Sequence, residues 1–173
     1  MVTTQHTLIA LVQDKPGVLN RVASIFRRRG FNINSIAVGS SELPGLSRMT
    51  IVVNGTATTV EQVRKQLAKA IDVVKVADIT EESITARELA LIKVKATSAN
   101  RGEIIEIADI FRASIVDVSS ESLTIEITGD EDKVESLVSL LRGFGIKEIA
   151  RAGRVAMVRG AITSLPAAEP ESK

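Results

Sequence analysis

The segment His6–Asn34, HTLIALVQDKPGVLNRVASIFRRRGFNIN, holds a short apolar run, a punctuated turn, an amphipathic helix and the entry to a second strand. Residues 7–13 have the length and apolar character of a strand, and Asp14-Lys15-Pro16-Gly17 ends it. Beyond the turn, Val18, Leu19, Val22, Ala23, Ile25 and Phe26 fall on one stripe, so the spacing predicts a helix over 16–29. Pro16 suits a first helical turn because its missing N–H would have had no partner there. Asp14 reads as the N-cap or a residue beside it. Gly30-Phe31-Asn32-Ile33-Asn34 then leads into a strand expected over 32–40.

That helix start has a chemical consequence. The first-turn amides of Gly17, Val18 and Leu19 are expected to point outward, carrying partial positive charge that can hold a carboxylate. Asp14 beside them can hold an ammonium, so one short loop offers both poles of an α-amino acid. The same residues also describe an ordinary helix start that needs no ligand, and the motif alone does not choose between the two.

The rest of the chain repeats one order of elements. After the first helix come strands 32–40 and 47–54 joined by a turn at Glu42-Leu43-Pro44-Gly45, a helix over 58–72 with Val60, Val63, Leu67 and Ile71 inward, and a strand over 73–80. A polar segment, 81–88, reads as a linker. Strand 89–96, helix 101–112, strands 115–120 and 122–128, helix 130–142 and strand 146–158 then restate the order β-α-β-β-α-β. The fold class is therefore α+β: two ferredoxin-like βαββαβ domains in tandem, spanning 1–80 and 89–160, with a flexible tail over 161–173. Each sheet is expected to carry helices on one face and leave the other free, and such small domains gain by associating, so at least a homodimer is expected.

Composition narrows the function classes. The 173 residues carry a net charge of +1 and only four Phe among the aromatics, which supplies neither a basic surface nor stacking platforms for nucleic acid. Without cysteine there is no thiol nucleophile, disulfide or thiolate metal site. No apolar run is long enough for a membrane span and Met1–Gln5 lacks a secretory pattern, so a cytoplasmic protein is expected.

Three segments of the first half, Leu8–Leu19 (LIALVQDKPGVL), Arg29-Gly30-Phe31-Asn32-Ile33 and Leu46–Ile51 (LSRMTI), resemble an ACT domain, and more narrowly that of the small regulatory subunit of acetolactate synthase (acetohydroxyacid synthase). Arg87–Val94, Phe111-Arg112, Ile115–Val118 and Ile149–Gly160 resemble the second domain of the same family, so the resemblance covers residues 6–160. It implies a non-catalytic regulatory protein that binds the large catalytic subunit, raises its activity and confers feedback inhibition by a branched-chain amino acid, usually valine. Thiamine diphosphate, Mg and FAD would belong to that partner, with no cofactor in this chain. The effector site implied is Asp14, Lys15, Pro16, Gly17, Val18 and Leu19 on the loop, with Asn32 and Ile33 supplied across a dimer interface, giving two sites per dimer. Asp14 departs from the Asn that some members carry; its charge favours the effector's ammonium and opposes its carboxylate.

Other residues read more plainly. His6 is a lone histidine with no nearby second ligand or nucleophile, and receives no role. Arg27–Arg29 fit the last turn of a helix, where the dipole favours cations. Glu103, Glu106 and Asp109 are spaced as exposed carboxylates on a helix, and no metal is assigned to them. A free-standing amino-acid sensor acting on transcription is the alternative reading, and it lacks a DNA-reading element in this sequence. An acyl-phosphatase-like enzyme would need a phosphate-cradling loop, where this chain has acidic Asp14.

Overall fold

The structure, a computed structural model, describes residues 4–28 and 30–165. The first six elements are β1 (Thr4–Gln13), α1 (Val18–Arg28), β2 (Ile33–Ser40), β3 (Leu46–Gly55), α2 (Ala57–Leu67) and β4 (Val73–Asp78). They form an antiparallel sheet in the order β2-β3-β1-β4. The second set is β5 (Ile84–Lys95), α3 (Arg101–Ile110), β6 (Ser114–Val118), β7 (Ser122–Gly129), α4 (Glu131–Leu141), a 3-10 turn at Arg142–Phe144, and β8 (Ile146–Arg151), followed by β9 (Val155–Val158). Its sheet order, β6-β7-β5-β8, is the same permutation as the first. These are two tandem ferredoxin-like βαββαβ domains.

Alternation along the strands builds each core. In the first domain Leu8, Ala10 and Val12 of β1 and Met49, Ile51 and Val53 of β3 meet Val22, Ile25 and Phe26 of α1 and Val60, Val63 and Leu67 of α2. Each of the larger ones, Val, Leu, Ile, Met or Phe, contributes about 1.5–3 kcal/mol of burial. In the second, Ala90, Ile92 and Val94 with Leu123, Ile125 and Ile127 lie under Ile104 and Ala108 of α3 and Val134, Leu137, Val138 and Leu141 of α4. Asp130 caps α4, its carboxylate accepting from the Lys133 N–H at 2.9 Å. His6 is a buried structural residue: Nδ1 lies 3.1 Å from Asp78 Oδ2 and Nε2 lies 3.0 Å from Thr4 Oγ1.

Five details differ from the pattern read in the sequence. Helix α1 begins at Val18 rather than at residue 16, because Gly17 adopts φ +85° and cannot continue a helix backwards. Helix α2 stops at Leu67 rather than at residue 72, as hydrogen bonds from Lys69 N to Gln66 O, Ala70 N to Leu67 O and Val73 N to Ala70 O tighten the chain into successive turns. Ile71, expected on the inward stripe, is consequently 82% exposed. Most of the polar segment 81–88 is strand, since β5 starts at Ile84 with alternating exposure; its polarity marks a solvated strand end rather than a break in structure. The strand expected over 146–158 divides into β8 and β9.

The fifth difference concerns the face of the first sheet away from its helices. That face was expected to be free, yet Thr7, Ile9, Thr50 and Val52 are all at most 4% exposed. Residues 4–85 and 154–165 form one compact unit and residues 86–153 another. Within the first unit, Ala156 of β9 is itself buried and its carbonyl accepts from Arg48 Nη2 at 2.8 Å. Of the expected tail, residues 161–165 run without helix or strand, and 166–173 lie outside the described residues.

One enclosed polar atom, on the sheet face opposite Leu123, Ile125 and Ile127, is costly. Thr124 Oγ1 on β7 is enclosed without a hydrogen-bond partner among the described residues. Thr124→Val keeps the branched shape and removes the stranded hydroxyl, and should raise stability by about 1 kcal/mol, read as a higher denaturation midpoint at unchanged slope.

Candidate functional site

The loop after β1 is a tight turn. Val18 N–H donates to Lys15 O at 3.4 Å, with Pro16 and positive-φ Gly17 at the two central positions, which is the sequence chemistry of a type II turn. Gly17 O accepts the first helical bond, from Arg21 N at 3.0 Å, so the cap position falls on Gly17 and not on Asp14. Asp14 instead ties the loop to the β2–β3 hairpin, its N–H donating to Gly45 O at 2.9 Å. The N–H of Val18, expected to face outward, is turned to Lys15 O. Those of Gly17, Leu19 and Asn20 have no partner among the described residues.

Asp14, Lys15, Pro16 and Gly17 are exposed, while Val18 is anchored in the core at 4% exposure. Leu19 is 50% exposed, so an aliphatic surface stands next to the unpaired amides. A groove of about 450 Å³ starts at Gly17 and runs along Asn20, Arg21, Ser24, Arg27 and Arg28. Arg21 is held by Asp72, Nη1 to Oδ2 at 2.5 Å. Among the described residues no group of acidic, histidine or cysteine side chains is placed to hold a metal.

Asn32 and Ile33 are positioned by the end of α1. Gly30 N donates to Arg27 O and Phe31 N to Phe26 O, with Gly30 at φ +68°, a Schellman closure that only an unhindered residue takes without strain. Asn32 emerges exposed, and Ile33 packs half-buried on the first core. Strand register then places them far from the loop. Ile33 pairs with Val53, which pairs with His6, whereas the loop follows Gln13, seven residues further along β1 and roughly 23 Å away at about 3.3 Å per residue. A single chain therefore does not bring the two halves of the expected site together.

Sequence reading passed over Arg48, Ser35 and Gln5. All three bond the segment around β9: Arg48 as above, Ser35 Oγ accepting from Arg154 N at 2.8 Å, and Gln5 Oε1 accepting from Arg154 Nη1 at 3.0 Å. Burial lowers the Arg48 pKa, partly opposed by the nearby Glu42 carboxylate. The available signal was Arg48 as the one charged residue of strand β3.

Comparison with known proteins supplies the family. Residues 8–75 match the model of the AHAS small subunit-like ACT domain, and residues 87–160 match that of the small subunit of acetolactate synthase. A probable acetolactate synthase small subunit of Archaeoglobus fulgidus is 60% identical over 156 residues, covering 90% of this chain and 98% of that protein. The chain belongs to the acetolactate synthase small-subunit family. Another member, the acetolactate synthase small subunit of Mycolicibacterium smegmatis, is 54% identical over 91% of this chain and 93% of its own length. The crystal structure of the small subunit from Thermotoga maritima superposes with a TM-score of 0.84 at 48% identity, covering 92% of this chain and 99% of that one. The tandem arrangement is thus that of the acetolactate synthase small subunits, with the ACT domain first.

Proposed function

We propose that this chain is the regulatory partner of a thiamine-diphosphate-dependent catalytic subunit, raising its activity and making it sensitive to a branched-chain amino acid, with valine the first choice. The chain performs no chemistry of its own in this reading; thiamine diphosphate, Mg and FAD sit in the partner, and both work in the cytoplasm. The observation that carries it is the divided site. Unpaired amides with Leu19 beside them lie at one end of the first sheet and Asn32–Ile33 at the other.

A twofold pairing of two copies along edge strand β2 joins those halves. In an antiparallel pair the partner's β2 runs the other way, so the start of its β2 comes beside Ser40 of this copy. Ser40 pairs with Ser47, and Ser47 with Val12, next to the loop. Val38 on the same strand is 48% exposed, apolar surface that such pairing would cover. The effector's carboxylate then meets the amides around Gly17, its ammonium meets Asp14, its aliphatic side chain meets Leu19, and Asn32 closes the site from the second protomer.

Mixing the purified chain with its cognate catalytic subunit tests the reading. Acetolactate formation should rise, and valine should then depress it; unchanged rate and unchanged valine response together would reject the assignment.

A further inference from the structure

Residues 154–158 form a strap that returns to the first domain after β8. It is fastened on β3 by Arg48 Nη2 to Ala156 O, on β2 by Arg154 N to Ser35 Oγ, and on β1 by Arg154 Nη1 to Gln5 Oε1. Its far end is closed by Val158 N to Ser164 Oγ at 3.0 Å and by Arg159 N to Ser83 O at 2.7 Å. Ala156 is buried between the exposed Val155 and Met157, and the half-buried Arg48 reaches its carbonyl.

The anchor on β2 stands beside the expected effector contacts. Ser35 is two residues beyond Ile33, and the β2–β3 register slips between them, Ile33 facing Val53 while Ser35 faces Val52. Asn34 is the extra residue of that bulge. A bulge bends its strand and re-aims the side chains beside it, so a change at Asn32–Ile33 that re-sets the bulge also re-aims Ser35. The strap is in turn continuous in sequence with β8, through Ala152 and Gly153.

We propose that the strap, anchored by Ser35 and Arg48, relays effector occupancy from the start of β2 to the rest of the chain, so that binding and response are separable at these two positioning residues. This rests on the regulatory reading above. Occupancy orders Asn32 and Ile33, the Asn34 bulge re-sets, Ser35 Oγ moves against the Arg154 N–H, and the strap shifts or lets go. Arg48 sets how firmly it is held.

The test uses the holoenzyme with Ser35→Ala, Arg48→Met and the conservative Arg48→Lys. Valine binding by calorimetry should stay within about twofold of wild type and activation should persist, while the activity left at saturating valine rises several-fold, as weakened coupling between the sites requires. Arg48→Lys should recover part of the response. Parallel loss of binding and inhibition, or no loss of either, would overturn the relay. If Arg48→Met does not fold, Ser35→Ala decides alone, since it removes one hydroxyl from a half-exposed strand. A wild-type mixture in which this chain neither raises the catalytic subunit's activity nor makes it answer valine would instead reject the regulatory reading, and the relay with it.

Discussion

Gly17→Asp should abolish valine inhibition of the holoenzyme while leaving activation in place. Space is not the obstacle, because a Cβ built on Gly17 meets nothing within 4 Å. Charge is: a carboxylate held about 4 Å from the effector's own carboxylate opposes it by about 4 kcal/mol at the effective dielectric of a protein surface, roughly a thousandfold in affinity. The backbone adds a smaller term, since φ +85° suits glycine and costs a substituted residue about 1 kcal/mol. Gly17→Asn separates the two effects. It has the same shape without the charge, and Asn tolerates positive φ better than most residues, so inhibition should persist at raised valine concentration. Full inhibition in Gly17→Asp would remove this loop from the account.

Phe26→Ala carries the largest expected loss of stability. Phe26 is fully buried, lies on α1 against the first sheet, and its carbonyl accepts the Phe31 N–H that closes the helix. Truncation leaves a ring-sized cavity and should cost about 3–5 kcal/mol, a large part of the total stability of a domain this small. Denaturant titration should show the first domain unfolding at a much lower midpoint, with effector binding lost alongside it. Phe26→Leu, which refills most of the volume, should cost far less; equal losses in the two variants would mean that this core does not hold the domain.

Periodicity made the helices and central strands legible, because their apolar residues recur at the spacing of the surface they cover. Val134, Leu137, Val138 and Leu141 sit inward as their spacing requires. Boundaries set by hydrogen bonding were harder to read. The apolar stripe seemed to run on to Ile71, but successive tight turns end α2 at Leu67 and leave Ile71 exposed. At the loop after β1, residue types suggested free amides but not their number: the Pro16–Gly17 turn returns the Val18 N–H to Lys15 and moves the cap from Asp14 to Gly17. The strap was illegible for another reason. Its fastenings to β1, β2 and β3 are single hydrogen bonds between residues more than 100 apart in sequence, and such pairing leaves no local pattern.

The divided site makes a sharper demand than inhibition alone. Protomers carrying Gly17→Asp have no competent loop, and protomers carrying Asn32→Ala have no competent closing residue, so neither homodimer should bind valine well. In a mixed dimer one site holds both lesions and the other holds neither. Calorimetry with valine on an equimolar mixture refolded together should therefore recover wild-type affinity at about one site per four chains, as random twofold pairing requires. No recovery in a mixture shown to contain mixed dimers would contradict a site shared between protomers.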